Sequence, residues 1–177
     1  MADGVQLREV EAADRPVLEA LWQLYRHDLS EVRGAHGPEG FRGMLPDANG
    51  RFHQRTLERF LVPDADRAAY LLETDGRPVG LAFASGLAGE RRLVAEFFVV
   101  RGLRRQGAGR AAATALFRRH PGVWDVPFQE ANMAAARFWR RLAAELCGAH
   151  WREERRPVPG KPEVPPDVWI ELTVGEG

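Results

Sequence analysis

The segment Arg104-Arg105-Gln106-Gly107-Ala108-Gly109-Arg110 constrains this chain more than any other. It follows an apolar run, Leu93 to Val100, and leads into a small-residue run, Ala111 to Phe117, so the hydrophobic period changes from two to 3.6 across it. A strand must therefore pass into a helix through a glycine-rich loop. Glycines let backbone approach a phosphate without interference from Cβ, and the first helical N–H groups point outward without intrahelical partners. The helix dipole adds roughly half a positive charge there. Flanking arginines complete a candidate diphosphate site, with a plain Gly- and Arg-rich structural turn as the competing reading.

Elements on either side can be read from spacing. Val5 to Val10 alternates as a strand, and Asp14 stands at an N-cap position with Pro16 just inside a helix start. Leu18, Leu21, Trp22, Tyr25, Leu29 and Val32 then share one helical face to about Arg33. The stretch Gly34 to Gly50 is too rich in Gly and Pro for regular structure and is expected to be a mobile flap, followed by a short helix from about Arg51 to Leu61. Asp75-Gly76 between two apolar runs predicts a hairpin over 69–85. After Pro121-Gly122 comes a strand, Val123 to Phe128. A helix with Ala135, Phe138, Trp139, Leu142 and Leu146 on one face ends at Gly148, and 150–156 can pair with 167–174 as a C-terminal hairpin. Hairpins mixed with strand-helix-strand units predict an α+β fold, and 177 residues fit one domain spanning 1–177.

Composition removes several function classes. The 25 basic residues equal the 25 acidic ones, so no overall field draws the chain to nucleic acid or to an acidic membrane surface. Val94 to Val100, interrupted by Glu96, is far short of the ~20 apolar residues of a bilayer span. Cys147 is the only cysteine, which excludes an intrachain disulfide and a cysteine-based zinc site, and no metal is expected. The N-terminus lacks a signal-peptide pattern, so a cytoplasmic location is expected.

Nucleotide-binding readings of the glycine loop can be compared. A Walker loop needs GxxxxGK[ST], yet Lys161 is the only lysine and lies near the C-terminus. Gly107, Gly109 and Ala112 match the dinucleotide pattern GxGxxA, with Asp125 further on, but six residues, Arg101 to Gln106, separate the strand from the first glycine. The upstream hairpins also disagree with repeated βαβ units.

The third reading is a resemblance. Arg104, Gly107 and Gly109 match the [QR]xxGx[GA] motif of the GNAT superfamily of N-acetyltransferases, and Asn132, Ala135, Phe138 and Trp139 look like its NxxAxxF(Y) pattern. The resemblance is dense from about Leu93 to Leu142. It implies a GNAT-type acyltransferase fold, a mixed central sheet flanked by helices, with acetyl-CoA as acetyl donor. It further implies that the backbone of Phe97, Phe98 and Val99 pairs with the pantetheine arm, while strands near Val99 and Val123 diverge to admit the thioester. Arg104, Arg105, Gln106, Gly107, Ala108, Gly109 and Arg110 would form the diphosphate cradle. Asn132 and Phe138 would contact the cofactor from the next helix, although Asn132 also suits a simple N-cap.

One residue departs from the family pattern. Many members carry Tyr where this chain has Trp139, and an indole N–H can donate a hydrogen bond but cannot serve as a proton-transfer acid. Glu96 is the candidate general base, because a carboxylate inside an apolar strand is solvated, paired or functional. Alternation puts it with Phe98 and Val100, and puts Ala95, Phe97 and Val99 on the opposite face. Tyr25 and Asp28, near the end of the first helix, would line the acceptor pocket by the same resemblance. The function implied is direct transfer of acetyl to a primary amine, most simply of a small molecule, with homodimerisation left open. A non-catalytic acyl-CoA-binding domain and a dinucleotide-binding enzyme are the alternatives.

Overall fold

Apolar residues alternate along the central strands, and each set reaches a different core. A computed structural model describes residues 4–33 and 45–175. It contains the strands β1 (Gln6–Glu9), β2 (Arg67–Thr74), β3 (Arg77–Ser85), β4 (Arg91–Val99), β5 (Gly122–Phe128), β6 (Trp151–Arg156) and β7 (Asp167–Val174). The described helices are α1 (Arg15–Arg33), α2 (Arg55–Leu61), α3 (Ala108–Arg119) and α4 (Met133–Cys147). Leu71, Leu81, Phe83 and Phe98 pack against Leu18, Leu21 and Trp22 of α1 and Leu57 and Phe60 of α2. Tyr70, Leu72, Ala82 and Val94 pack on the other face against Ala112, Leu116 and Phe117 of α3 and Trp139 and Leu142 of α4. Because side chains two apart share a strand face, one run of buried residues serves both layers.

The sheet order is β1-β2-β3-β4-β5-β7-β6. Among the described strands only β4 and β5 pair in parallel; the other neighbours are antiparallel. This is the expected α+β arrangement with a mixed sheet, and it lacks the successive parallel pairs that a dinucleotide-binding sheet needs. Asp75 and Gly76 turn the β2–β3 hairpin with φ of 49° and 68°, the pair of positive values that a two-residue turn matched to strand twist requires.

Four local features differ from the sequence expectation. Asp14 is not the N-cap of α1: a 3-10 turn, Ala12–Asp14, runs directly into the helix, and the Asp14 carboxylate accepts the Glu11 N–H at 2.8 Å. The Arg8 guanidinium grips the same carboxylate at 2.7 and 2.8 Å and holds its pKa down at about 2. The short helix starts at Arg55 instead of Arg51, because Gln23 and Trp22 of α1 hold the backbone of Phe52 and His53 in an extended path. Of the expected flap, 34–44 lies outside the described residues, and 47–50 forms a turn around the Asp47 carboxylate.

The fourth feature is a bulge in β4. Phe83 stands opposite Glu96 but Ala84 stands opposite Val94, which leaves Ala95 as an extra residue. Ala95 therefore packs on the α1 face together with Phe98, and not with Phe97 and Val99 as strict alternation predicts. The Phe97 and Val99 positions opposite Phe98 follow the expected alternation.

Candidate active site

The parallel pair β4–β5 joins Arg91, Arg92 and Leu93 to Val123, Trp124 and Asp125 and goes no further. The bulge follows at once, and beyond it the two strands separate. Val123 is thus in the paired part, so the divergence lies between Ala95–Val99 and Pro127–Phe128 and not at Val123. A cleft of about 160 Å³ occupies the gap, reached by Tyr25 and Leu29 from α1 and by Asn132, Ala135 and Trp139 from α4.

Backbone direction can be followed along the open edge of β4. The Val100 N–H donates to the Val79 carbonyl at 2.9 Å, so the N–H and C=O of Phe98 also face β3. Those of Phe97 and Val99 face the gap. The Phe97 ring stacks on Phe138 with centroids 6.0 Å apart, and Phe138 in turn lies against the glycine loop. A Cβ on Gly109 would meet Phe138 Cε2 at 3.4 Å and Val99 Cγ2 at 3.8 Å, so strand, loop and α4 converge there.

The loop itself has the expected shape. Arg105 and Gly107 take left-handed φ of 64° and 89°, and a Cβ on Gly107 would meet nothing within 4 Å. Gln106 Nε2 closes the loop internally on the Gly102 carbonyl at 2.7 Å. The amides at Ala108, Gly109 and Arg110 begin α3, where N–H groups have no intrahelical acceptor. Open space above a glycine, outward amides and the exposed Arg105 form a donor set suited to a diphosphate. Arg110 leans instead on Glu145 of α4 at 2.7 Å. Asn132 is the N-cap of α4, accepting the Ala135 N–H at 3.1 Å, and it also lines the cleft.

The opposite, α1-facing side of the gap carries Glu96. Tyr25 donates its phenolic hydrogen to Glu96, which stands half-buried at the bulge. Tyr25 therefore sits in the same cleft as Trp139, which helix spacing alone places on a separate element. Across the gap, Asp167 begins β7 and accepts Gln129 Nε2 at 3.1 Å. Asp167 and Gln129 were not legible as site residues, since only the β5–β7 register carries them to the cleft. Glu96 and Asp167 are the charged lining residues among those described. Asp28 does not line the cleft: it binds Arg101 and Arg104.

Trp139 is 7 % exposed and is boxed by Phe138 at 4.7 Å, Phe97 at 5.2 Å and Phe117 at 6.4 Å between ring centroids. Its indole forms part of the cleft wall. Among the described residues no group of three His, Cys, Asp or Glu side chains could hold a metal ion. No described helix is long and apolar enough to cross a membrane.

Residues 18–144 match the acetyltransferase (GNAT) family. No curated protein sequence matches the chain. The fold is similar to that of the ribosomal-protein-S18-alanine N-acetyltransferase from Escherichia coli, at a TM-score of 0.63 and 14 % identity over 98 % of this chain and 96 % of that one. An acetyltransferase from Thermus thermophilus gives 0.64 and 19 % over 98 % and 99 %. A ribosomal L7/L12 alpha-N-protein acetyltransferase solved with coenzyme A gives 0.68 and 10 % over 100 % and 98 %.

Proposed function

The chain belongs to the acetyltransferase (GNAT) family, and from that premise we propose that it transfers acetyl from acetyl-CoA to the primary amine of a small cationic molecule. One observation supports this reading most directly: the gap between β4 and β5 is lined by Glu96 and Phe97, and Phe97 stacks on the Phe138 ring that, with Val99, lies against Gly109 of the glycine loop. When bound, acetyl-CoA supplies a thioester carbonyl that an amine can attack. Arg105 to Arg110 would hold its diphosphate, while Phe97 and Val99 present backbone groups, and Asn132 and Phe138 side chains, to its pantetheine arm. The Val99 N–H offers a preorganised donor to charge developing on the carbonyl oxygen.

Glu96 would take the proton that the amine must lose, directly or through water. The Tyr25 hydroxyl orients its carboxylate. Trp139 walls the cleft; a thiol of pKa near ~8.5 can leave as thiolate without a dedicated acid. An ammonium is drawn to a lining whose charged members, among the described residues, are Glu96 and Asp167. The ribosomal neighbours are named for protein acceptors, so peptides with a free N-terminus form the comparison set.

The test is a thiol-release assay over amines and peptides with wild type and Glu96→Gln. The substitution keeps volume but cannot accept a proton, so the rate at neutral pH should fall roughly 10²–10⁴-fold with CoA affinity nearly unchanged. The acidic limb of the pH–rate profile should disappear. Near-normal rates with the limb intact would make Glu96 structural, and a preference for peptides over all small amines would move the acceptor to protein.

A further inference from the structure

Arg104, the first residue of the glycine-loop motif, does not reach over the loop. Its Nε donates to the Val99 carbonyl at 2.7 Å, and its Nη2 donates to Asp28. Asp28 also accepts Arg101 Nε at 2.9 Å. One carboxylate on α1 therefore grips arginines at both edges of the 3-10 turn Arg101–Leu103, which links β4 to the loop. The peptide between Val99 and Val100 is held from two sides, its N–H by the Val79 carbonyl and its C=O by Arg104. A peptide is planar, so anchoring both of its polar groups sets the tilt of the strand end. The Val99 N–H, which shares a side with the Val99 C=O, is aimed into the gap by that tilt.

We propose that Asp28 is a positioning residue, which through Arg104 sets the Val99 backbone and the entry to the glycine loop, and so ties α1 to the cofactor side of the cleft. The proposal rests on the acetyltransferase reading above. Tyr25 lies three residues earlier on the same helix and binds Glu96, so α1 meets β4 directly at Glu96 and, through Arg104, at the Val99 carbonyl. The Asp28 side chain is 17 % exposed, but both arginines it binds face solvent, Arg101 at 62 % and Arg104 at 39 %, so the pairs are partly screened and contribute modestly to folding.

Asp28→Asn keeps the shape and removes the charge. Arg104→Gln keeps an N–H where Nε stood, able to serve Val99, but cannot reach Asp28. Each variant and the double variant would be examined by calorimetry with CoA, by steady-state kinetics and by thermal unfolding. Asp28→Asn should weaken CoA binding and raise KM for acetyl-CoA about tenfold, lower kcat, and leave KM for the amine within about twofold. Arg104→Gln should do the same, and the double variant should be no worse than the poorer single, because both break one chain of contacts. Unfolding midpoints should move by only a few degrees, about what a surface pair allows.

Additive effects would overturn the proposal, as would an Asp28→Asn protein that changes only in unfolding midpoint. A change confined to KM for the amine would make Asp28 an acceptor contact instead. If Asp28→Asn fails to fold, Arg104→Gln with unchanged CoA affinity still refutes the link. Wild type that neither binds CoA nor acetylates any amine removes the acetyltransferase reading and this proposal with it, whereas an active wild type with an unaffected Asp28→Asn removes only the coupling.

Discussion

Trp139→Ala should destabilise the protein by about 3–5 kcal/mol, the range for losing a buried Trp. A tryptophan in a core removes roughly 150–250 Å² from water, which at about 25 cal/mol per Å² is about 4–6 kcal/mol as an upper bound. Trp139 is 7 % exposed, so nearly all of that area counts. Edge-to-face contacts with Phe97 and Phe138, at 5.2 and 4.7 Å, would be lost as well. One edge of the ring lines the cleft, where water can enter the space left behind, and this pulls the cost toward the lower half of the range. At this chain length each kcal/mol corresponds to about 2–4 °C, so for about 3–4 kcal/mol a midpoint drop of roughly 6–16 °C is expected by circular dichroism. Trp139→Phe keeps a ring between the two phenylalanines, and turnover in the thiol-release assay should stay within about tenfold. A folded Trp139→Phe protein without turnover would refute the view that Trp139 acts as packing and cleft wall. An unchanged midpoint in Trp139→Ala would refute the burial arithmetic.

Two further outcomes can be measured on the same preparations. Gly107→Val puts a branched side chain at a φ of 89° and into the open space above the loop, so CoA affinity should fall by at least about a hundredfold; calorimetry giving wild-type affinity would remove the diphosphate from this loop. Burial lowers the pKa of both His53 and His120, so the unfolded chain binds protons near pH 6.5 that the folded protein still refuses. Stability from these groups is therefore complete above that pH and lost as pH falls through 6.5 toward the folded values. Urea midpoints should drop between about pH 7.5 and about pH 5.5. His120→Gln should flatten the slope while also losing the 2.6 Å contact with Tyr70; an identical slope in the variant would contradict the burial effect.

Legibility from sequence followed the range of the interactions involved. Asp75-Gly76, the two-residue alternation of β2 and β3 and the glycine loop before α3 are local signals, and each stands where spacing put it. α2 starts four residues later than local spacing predicts because Trp22 and Gln23, about thirty residues away, decide the backbone path of Phe52 and His53. Asp28 looked like an acceptor contact because its partners, Arg101 and Arg104, are more than seventy residues downstream. Asp167 heads a strand with no catalytic pattern around it, and only the pairing of Phe128 with Val168 brings it beside the gap. Glu96 stood out because a carboxylate in VAEFFVV conflicts with its neighbours, while its Tyr25 partner could not be read from either segment.

The extra residue at Ala95 has a consequence for how this cleft could be lost. A bulge adds one residue without exchanging the faces of those that follow, so a β4 lacking Ala95 would still send Val94 and Phe97 to α3 and α4 and Glu96 and Phe98 to α1. Its hydrophobic pattern would be more regular than that of the present chain. Freed of the bend, however, β4 could continue its ladder along β5 past Leu93 and Asp125, and the groups that now face the gap would satisfy one another. A seamless sheet and an open cleft thus differ here by one alanine, and the version with the poorer strand is the one with room between β4 and β5.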